Sequence, residues 1–169
     1  ENTEMHITVI GAGATPGGTA QGSNSTEYPT GAAYVYGIVA EGGSISLLGK
    51  NTLDVTAAAA RAMGVRITNG SYTMTGGTHE GAGAVVLGTT SISISTGDDA
   101  YGIQAEKLTP PQGSTMSQPI DFTILGDTTI SAETTGPDSV GVGIAINESV
   151  KGEIKADTTI SATDIALLV

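Results

Sequence analysis

Two nearly identical stretches, DTTISAE at 127–133 and DTTISAT at 157–163, decide how this chain folds. In each stretch apolar and polar residues alternate, which is the pattern of a β-strand that buries one face. Ile130 and Ile160 occupy the same place in the two copies. A strand that returns in this way predicts a coiled chain in which each copy lies beside the next.

Weaker copies of this strand occur upstream, and two further strand types follow it each time. The first type reads T-Φ-x-Φ, where Φ is apolar, and recurs as HITVI at 6–10, NTLDVT at 51–56 and TSISIS at 90–95. The second type places Gly between apolar residues, as in YGIVA at 36–40, MGVRI at 63–67, YGIQA at 101–105 and VGIAI at 142–146. The third type comprises SISLLGK at 44–50, SYTMTGG at 71–77, DFTILGD at 121–127 and GEIKAD at 152–157. Their fixed order predicts that like residues stack on like residues.

The recurrence predicts an all-β fold, a parallel β-helix (β-solenoid) of about five to six coils, with residues 1–169 in a single segment. Two insertions, at about 11–31 and 107–119, interrupt the cycle and are expected to be loops. THEGAGAVVLG at 78–88 fits either an extra short strand or a truncated coil. Helix-forming composition is confined to AAAARAMG at 57–64, where we expect a turn and a strand.

The composition excludes several classes of protein. Six Lys plus Arg against seventeen Asp plus Glu give a net charge of −11, which repels nucleic acid and anionic membrane surfaces. The absence of Cys excludes a disulfide scaffold and a thiolate metal site. No apolar run approaches the roughly 18 residues that span a bilayer, so we expect no direct membrane insertion by this segment.

The second-type segments carry a resemblance to a known family. YGIVAEGG, MGVRITNG, YGIQAE and VGIAINES, each followed by a strand and a G-[KD]-[NT]-T turn, resemble coils in passenger domains of bacterial autotransporters, the pertactin-like surface proteins. This resemblance implies a right-handed β-helix that is exported across the outer membrane and displayed on the cell, often as an adhesin. It also leads us to expect that residues 1–169 are a fragment or processed part of a longer passenger. The implied location is extracellular or at the cell surface.

The motifs that resemble catalytic or cofactor-binding sites lack the neighbouring residues that such sites need. ITVIGAGATPGG at 7–18 imitates a dinucleotide-binding turn, but Pro16, Gly17, Gly18 and the residues after them cannot sustain the helix that such a site needs. His6 and His79 stand far apart without a metal-binding spacing. We therefore expect no cofactor and no enzymatic activity.

Two groups of residues are candidates for binding. Asp127 and Asp157 occupy equivalent turns and should stack one coil apart, where they form either a weak calcium site or plain solvated turns. The two insertions add side chains suited to contact with protein or sugar. These are Asn24, Tyr28, Lys107 and Gln112.

Three hypotheses of function follow from the sequence. The first is a non-catalytic solenoid, displayed or secreted, that binds protein or glycan on host or neighbouring cells. The second is a structural subunit that self-associates end to end through open coil edges, as the apolar stretch DIALLV at 164–169 suggests. The third is a β-helix enzyme that cleaves polysaccharides. The enzyme requires acids and aromatic residues that converge on one groove, whereas the adhesin predicts a smooth Ser/Thr/Gly face with acids scattered over turns.

Overall fold

The structure is a computed structural model that describes residues 4–11, 34–69, 83–107, 120–147 and 150–169. Within these ranges the chain forms β-strands and no helix, so no helix there could cross a membrane. The strands in chain order are β1 (Glu4–Gly11), β2 (Tyr34–Glu41), β3 (Ser44–Leu47), β4 (Lys50–Ala57), β5 (Arg61–Thr68), β6 (Gly83–Leu87), β7 (Thr90–Thr96), β8 (Ala100–Glu106), β9 (Ile120–Ile124), β10 (Thr128–Thr134), β11 (Gly141–Ile146), β12 (Val150–Ile154), β13 (Thr158–Ala162) and β14 (Ile165–Leu168).

These strands form three stacked parallel sheets. The first sheet has the order β1-β4-β7-β10-β13, the second β2-β5-β8-β11-β14 and the third β3-β6-β9-β12. The chain visits the first, second and third sheets in that order and then returns to the first, which we call one coil. Every strand pair is parallel. The all-β, parallel arrangement predicted from the sequence is therefore present, and it fits a β-solenoid.

The register of the first sheet follows the sequence repeat. The residues that the T-Φ-x-Φ pattern makes equivalent are direct neighbours on adjacent strands: Ile7, Leu53, Ile92, Ile130 and Ile160. The three central members of this column are at most 1% exposed. The apolar side of each strand therefore faces the space between the sheets, where it forms the core.

Glycines of the second sheet allow it to lie against the first. We call them the glycine ladder: Gly37, Gly64, Gly102 and Gly143. A Cβ on Gly64, Gly102 or Gly143 would collide with a Cγ2 methyl of a first-sheet isoleucine, respectively Ile92, Ile130 and Ile160. A Cβ on Gly37 would lie 2.7 Å from the carbonyl oxygen of Gly64 and 3.1 Å from Cγ2 of Val55. A Cβ on Gly64 would also lie 2.7 Å from the carbonyl oxygen of Gly102. The apolar-Gly-apolar pattern therefore reflects a lack of space between the two sheets.

The turn from the third sheet to the first is held by short polar side chains. The hydroxyls of Thr90 and Thr128 each donate a hydrogen bond of 2.9 Å to the carbonyl oxygen two residues earlier. The hydroxyl of Thr158 does the same at 3.3 Å, and the side-chain amide of Asn51 at 3.1 Å. The recurring G-[KD]-[NT]-T turn is thereby explained, because an Asn or Thr at its third position satisfies a carbonyl group that the turn leaves unpaired.

The third sheet includes a strand from the stretch at 78–88. SYTMTGG at 71–77, predicted to be the third-type strand after β5, lies outside the described residues. The structure places β6 in the third sheet between β3 and β9, where Val85 and Leu87 are at most 2% exposed in the core. The stretch at 78–88, left open between two interpretations, thus ends in a strand of the regular cycle.

Other expectations about local structure hold where the structure describes them. In the alanine-rich stretch, residues 58–60 form a bend and β5 begins at Arg61, as expected for a turn and a strand. The first insertion begins at the end of β1, which includes Gly11, and β2 starts at Tyr34. The second follows β8, and the next strand starts at Ile120. Residues 12–31 and 108–119 of the insertions lie outside the described ranges.

The glycine ladder leads to a stability prediction. Gly102→Ala should lower the free energy of unfolding by about 1–3 kcal/mol, because its Cβ meets both Ile130 and the backbone of Gly143. Gly43→Ala is the matched control, because a Cβ there has no atom within 4 Å. Urea unfolding followed by circular dichroism measures both. Equal effects of the two substitutions would contradict the close approach of the sheets.

Candidate functional site

The outer face of the first sheet is a surface of small hydroxyl side chains. Successive strands place hydroxyl residues beside one another in the row Thr52, Ser91, Thr129 and Thr159. The next outward row contains Asp54, Ser93, Ser131 and Ser161. Most of these side chains are exposed. This is the kind of smooth Ser/Thr face that the adhesin hypothesis predicts.

The outer face of the second sheet differs sharply in chemistry. It carries three of the five tyrosines of the chain and both of its arginines, and we call it the tyrosine face: Tyr34, Tyr36, Arg61, Arg66, Tyr101, Gln104 and Glu106. Tyr36 and Tyr101 lie in one column, separated by Met63. Arg66 and Gln104 are neighbours in the adjacent column. Aromatic, cationic, amide and acidic groups thus converge on one side of the molecule.

Arg66 is held against a pair of stacked tyrosines. The rings of Tyr34 and Tyr36 lie 6.2 Å apart and are nearly parallel, at 8°. The guanidinium carbon of Arg66 lies 5.6 Å from the centre of the Tyr36 ring, and its Nη1 donates a hydrogen bond of 3.0 Å to the Tyr36 hydroxyl. Only 2% of Arg66 is exposed. A cation so placed on an aromatic ring is attracted by the π-electrons of the ring.

Both arginines of the tyrosine face also lie beside carboxylates. Arg61 Nε is 2.8 Å from Asp99 Oδ2, and Arg66 Nη2 is 3.8 Å from Glu106 Oε2. Asp99 further accepts a hydrogen bond of 3.0 Å from the backbone N–H of Val140 in the next coil. Burial lowers the pKa of Arg61, but Asp99, Tyr34, Tyr101 and Asp98 together outweigh this, so the pKa stands above its ordinary value. These pairs fix the arginine side chains in place.

The hydroxyls of Tyr34 and Tyr101 have raised pKa values and remain protonated at neutral pH. Burial raises the pKa of Tyr34, and Arg61 opposes this in part. Burial also raises the pKa of Tyr101, to which the negative charges of Asp99, Asp98 and Glu106 add. The Tyr101 phenol, which lines an open groove, can therefore donate a hydrogen bond to a ligand.

A small open groove lies beside Tyr101. Its volume is about 180 Å³. The apolar part of its lining consists of Ala105, Ala145, Ile146 and Leu168. The polar part consists of Tyr101, Gln104, Glu106 and Asn147. The side-chain oxygen Oε1 of Gln104 is buried and has no hydrogen-bond partner.

The two aspartates singled out in the sequence lie where the repeat places them. Asp127 and Asp157 are exposed in equivalent turns, and their backbone carbonyls accept hydrogen bonds of 3.1 and 2.9 Å from Thr90 and Thr128. The part of the chain that the structure describes holds no group of three or more His, Cys, Asp or Glu placed to bind a metal. A calcium site at Asp127 and Asp157 stays a prediction.

Of the four binding residues named from the insertions, the structure describes only Lys107. It follows β8 directly, and its backbone N–H donates a hydrogen bond of 2.7 Å to Asn147 Oδ1. Asn147 Nδ2 in turn lies 3.4 Å from the Lys107 carbonyl oxygen. Lys107 thus stands at the edge of the groove beside Tyr101. Asn24, Tyr28 and Gln112 lie outside the described ranges.

Sequence reasoning missed the tyrosine face because the tyrosines looked scattered along the chain. The signal was nevertheless present in the second strand type. Tyr36 and Tyr101 both stand directly before the glycine of that pattern, while Arg66 and Gln104 both stand two residues after it. Stacking of equivalent positions then brings them to one face.

Comparison with known proteins identifies no relative. No protein-family model, curated protein or solved structure matches the chain. The likeness to autotransporter passengers therefore stays a hypothesis, and an argument for function depends on the two outer faces.

Proposed function

We propose that this chain is a non-catalytic binding segment of a surface-displayed or secreted protein, an adhesin or autotransporter passenger. In this proposal it is a right-handed parallel β-helix of about five to six coils. The right-handed turn and the export to the cell surface come from the family resemblance of the second-type segments. The observation that carries the binding role is the tyrosine face.

The composition of the tyrosine face suits recognition of another molecule. Tyrosine and arginine are the residue types most often responsible for binding energy at protein interfaces, because they combine a large contact area with hydrogen-bonding groups. Here Arg66 is almost fully buried and fixed by Tyr36 and Glu106, so it holds the tyrosine ring in place, and little conformational freedom is lost when a ligand binds. A rigid scaffold with preorganised side chains is what a binding surface requires.

The carboxylates of this face favour binding over glycosidic cleavage. Cleavage of that kind uses two carboxyl groups on either side of the scissile bond. Asp99 lies 2.8 Å from Arg61 and also accepts a backbone hydrogen bond, while Glu106 lies 3.8 Å from Arg66. Both acids thus help to orient the arginines. This role supports assignment of the face to recognition.

The proposed partner is a protein or glycan on a cell surface. The net charge of −11 disfavours nucleic acid and anionic lipid. The Ser/Thr surface of the first sheet contributes hydroxyl groups that remain hydrated. In this proposal the first sheet does not contact the partner that binds the tyrosine face.

An array experiment tests the proposed function. The purified chain, applied to glycan and extracellular-matrix protein arrays, should bind a defined subset of spots. Tyr34→Leu removes one ring of the tyrosine face and should weaken that binding about tenfold, as expected for a residue at the centre of an interface. Thr129→Val on the first sheet is the matched control and should leave the pattern unchanged. Uniformly negative arrays, or equal losses in both variants, would contradict the proposal.

A second candidate function, end-to-end assembly, is favoured by the edge strands β12, β13 and β14, which form one end of the stacked sheets. Their apolar residues are poorly covered, with Ile154 50% exposed and Leu167, the neighbour of Ile144, 52% exposed. Lys151 and Lys155 lie 2.7 and 2.8 Å from Glu153 along this edge. Charged side chains on an edge strand oppose its pairing with a strand of another molecule, and these charges lie on or next to β12. Stacking through this end would therefore depend on β14.

Sedimentation velocity at several concentrations tests this second candidate. If coils stack, the sedimentation coefficient should rise with concentration, and Leu167→Asp should suppress the rise. Leu125→Asp is the control, because Leu125 is similarly exposed, at 45%, in a turn away from that edge. A chain that stays monomeric at every concentration would exclude end-to-end assembly.

A further inference from the structure

We infer that the groove beside Tyr101 binds an arginine side chain presented by a protein partner. This inference rests on the proposed function and specifies the ligand of the tyrosine face. Its basis is the structural repeat. At one position on this face the chain places an arginine beside a tyrosine, and at the equivalent position further along the sheet it places an alanine beside a tyrosine.

The occupied place is the contact between Tyr36 and Arg66. Tyr36 lies on β2, and Arg66 lies in the next coil, on β5, one column to the side. Their geometry combines the ring contact of 5.6 Å with the hydrogen bond of 3.0 Å to the tyrosine hydroxyl. The chain therefore contains its own example of an arginine bound on this face.

The open place is the contact between Tyr101 and Ala145. Tyr101 on β8 occupies the column of Tyr36, and Ala145 on β11 occupies the column of Arg66. Ala145 therefore has the same position relative to Tyr101 that Arg66 has relative to Tyr36: one strand further along the sheet and one column to the side. Alanine leaves the ring of Tyr101 without a cation from that position, and the groove of about 180 Å³ lies there, lined by both residues.

The shape of the groove suits one long side chain. Its volume is below the roughly 300–1,000 Å³ of sites that take drug-sized ligands, so it has room for a single side chain and not for an oligosaccharide. Ala145, Ile146 and Leu168 provide an apolar floor. The methylene groups of an arginine pack well on such a floor while the guanidinium reaches the polar rim.

The polar rim suits a group that carries only hydrogen-bond donors. Gln104 lines the groove and its Oε1 is buried without a partner, which is a costly state that is relieved if the side-chain amide turns toward a donor from the ligand. Among the described residues of the lining, Glu106 is the one that carries a charge, and it is acidic. A guanidinium has five N–H donors and no acceptor, and it stacks well on aromatic rings.

Charges of both signs lie near the groove. Asp98, Asp99 and Glu106 act on the Tyr101 hydroxyl as negative charges, Arg61 opposes them, and Lys107 stands at the edge of the groove. The whole chain carries a net charge of −11. A basic segment of a partner protein is therefore attracted to this molecule, and the groove gives one of its arginines a specific place.

The test uses the full chain, labelled with nitrogen-15, and two short peptides. Acetyl-Gly-Arg-Gly-amide supplies the arginine, and the same peptide with citrulline supplies an uncharged side chain of nearly equal shape. The arginine peptide should produce saturable shifts in the side-chain amide resonances of Gln104 and Asn147. The citrulline peptide should bind about tenfold more weakly, because the cation contributes to the contact with Tyr101.

Substitutions assign the binding to the groove. Ala145→Arg should fill the groove with an arginine of the chain itself and abolish the shifts, whereas Ser93→Arg adds the same charge on the first sheet and should change affinity less than about twofold. Tyr101→Leu should weaken binding about fivefold to tenfold without filling the groove. Thermal unfolding checks that each variant is folded.

Three results would overturn the inference: equal binding of the citrulline peptide, equal losses in Ala145→Arg and Ser93→Arg, or shifts confined to the first sheet. The array experiment distinguishes a wrong assignment of the groove from a wrong assignment of the binding function. If array binding persists unchanged in Ala145→Arg, the groove is wrong and the binding function stands. If the arrays are negative while the arginine peptide binds at the groove, the groove inference is supported and the adhesive role is contradicted.

Discussion

The close approach of the first and second sheets is the constraint on which the rest of the molecule depends. Along the glycine ladder, Cγ2 methyl groups of first-sheet isoleucines occupy the space that a side chain of the second sheet would need. A shift of register by one residue would bring a side chain into that space, so the packing selects one register. That register sets every column on the outer faces, including the columns that hold the tyrosine face.

Inward-facing and outward-facing positions of the second sheet are therefore under different steric constraints. The glycine of each strand has one sterically acceptable identity, whereas the outward positions on either side of it face no such restriction. The column of Arg66, Gln104 and Ala145 shows the result, since three chemically different side chains occupy equivalent places. A repetitive scaffold thus carries a non-repetitive surface, and the function proposed above depends on those differences.

Much of this fold could be predicted from the sequence because its main signals are local. The alternating strands, their order and the stacking of Ile130 on Ile160 all follow from spacing alone. The strand after β5 could not be predicted, because SYTMTGG and GAVVLG offer similar patterns and only packing against β3 and β9 selects the second. The tyrosine face was missed for a related reason: its members lie far apart in sequence, and only the register brings Tyr36, Arg66 and Tyr101 together.

A disulfide test addresses the central claim most directly, because the chain has no Cys of its own. Ser131 and Ser161 are neighbours on β10 and β13, and adjacent strands lie about 4.8 Å apart, within reach of a disulfide. The account predicts that Ser131→Cys with Ser161→Cys forms an intramolecular disulfide on mild oxidation, measured by mass spectrometry and thiol titration. Ser93→Cys with Ser161→Cys, two strands apart at about 10 Å, should keep free thiols. Free thiols in the first pair together with a disulfide in the second would contradict the stacked register.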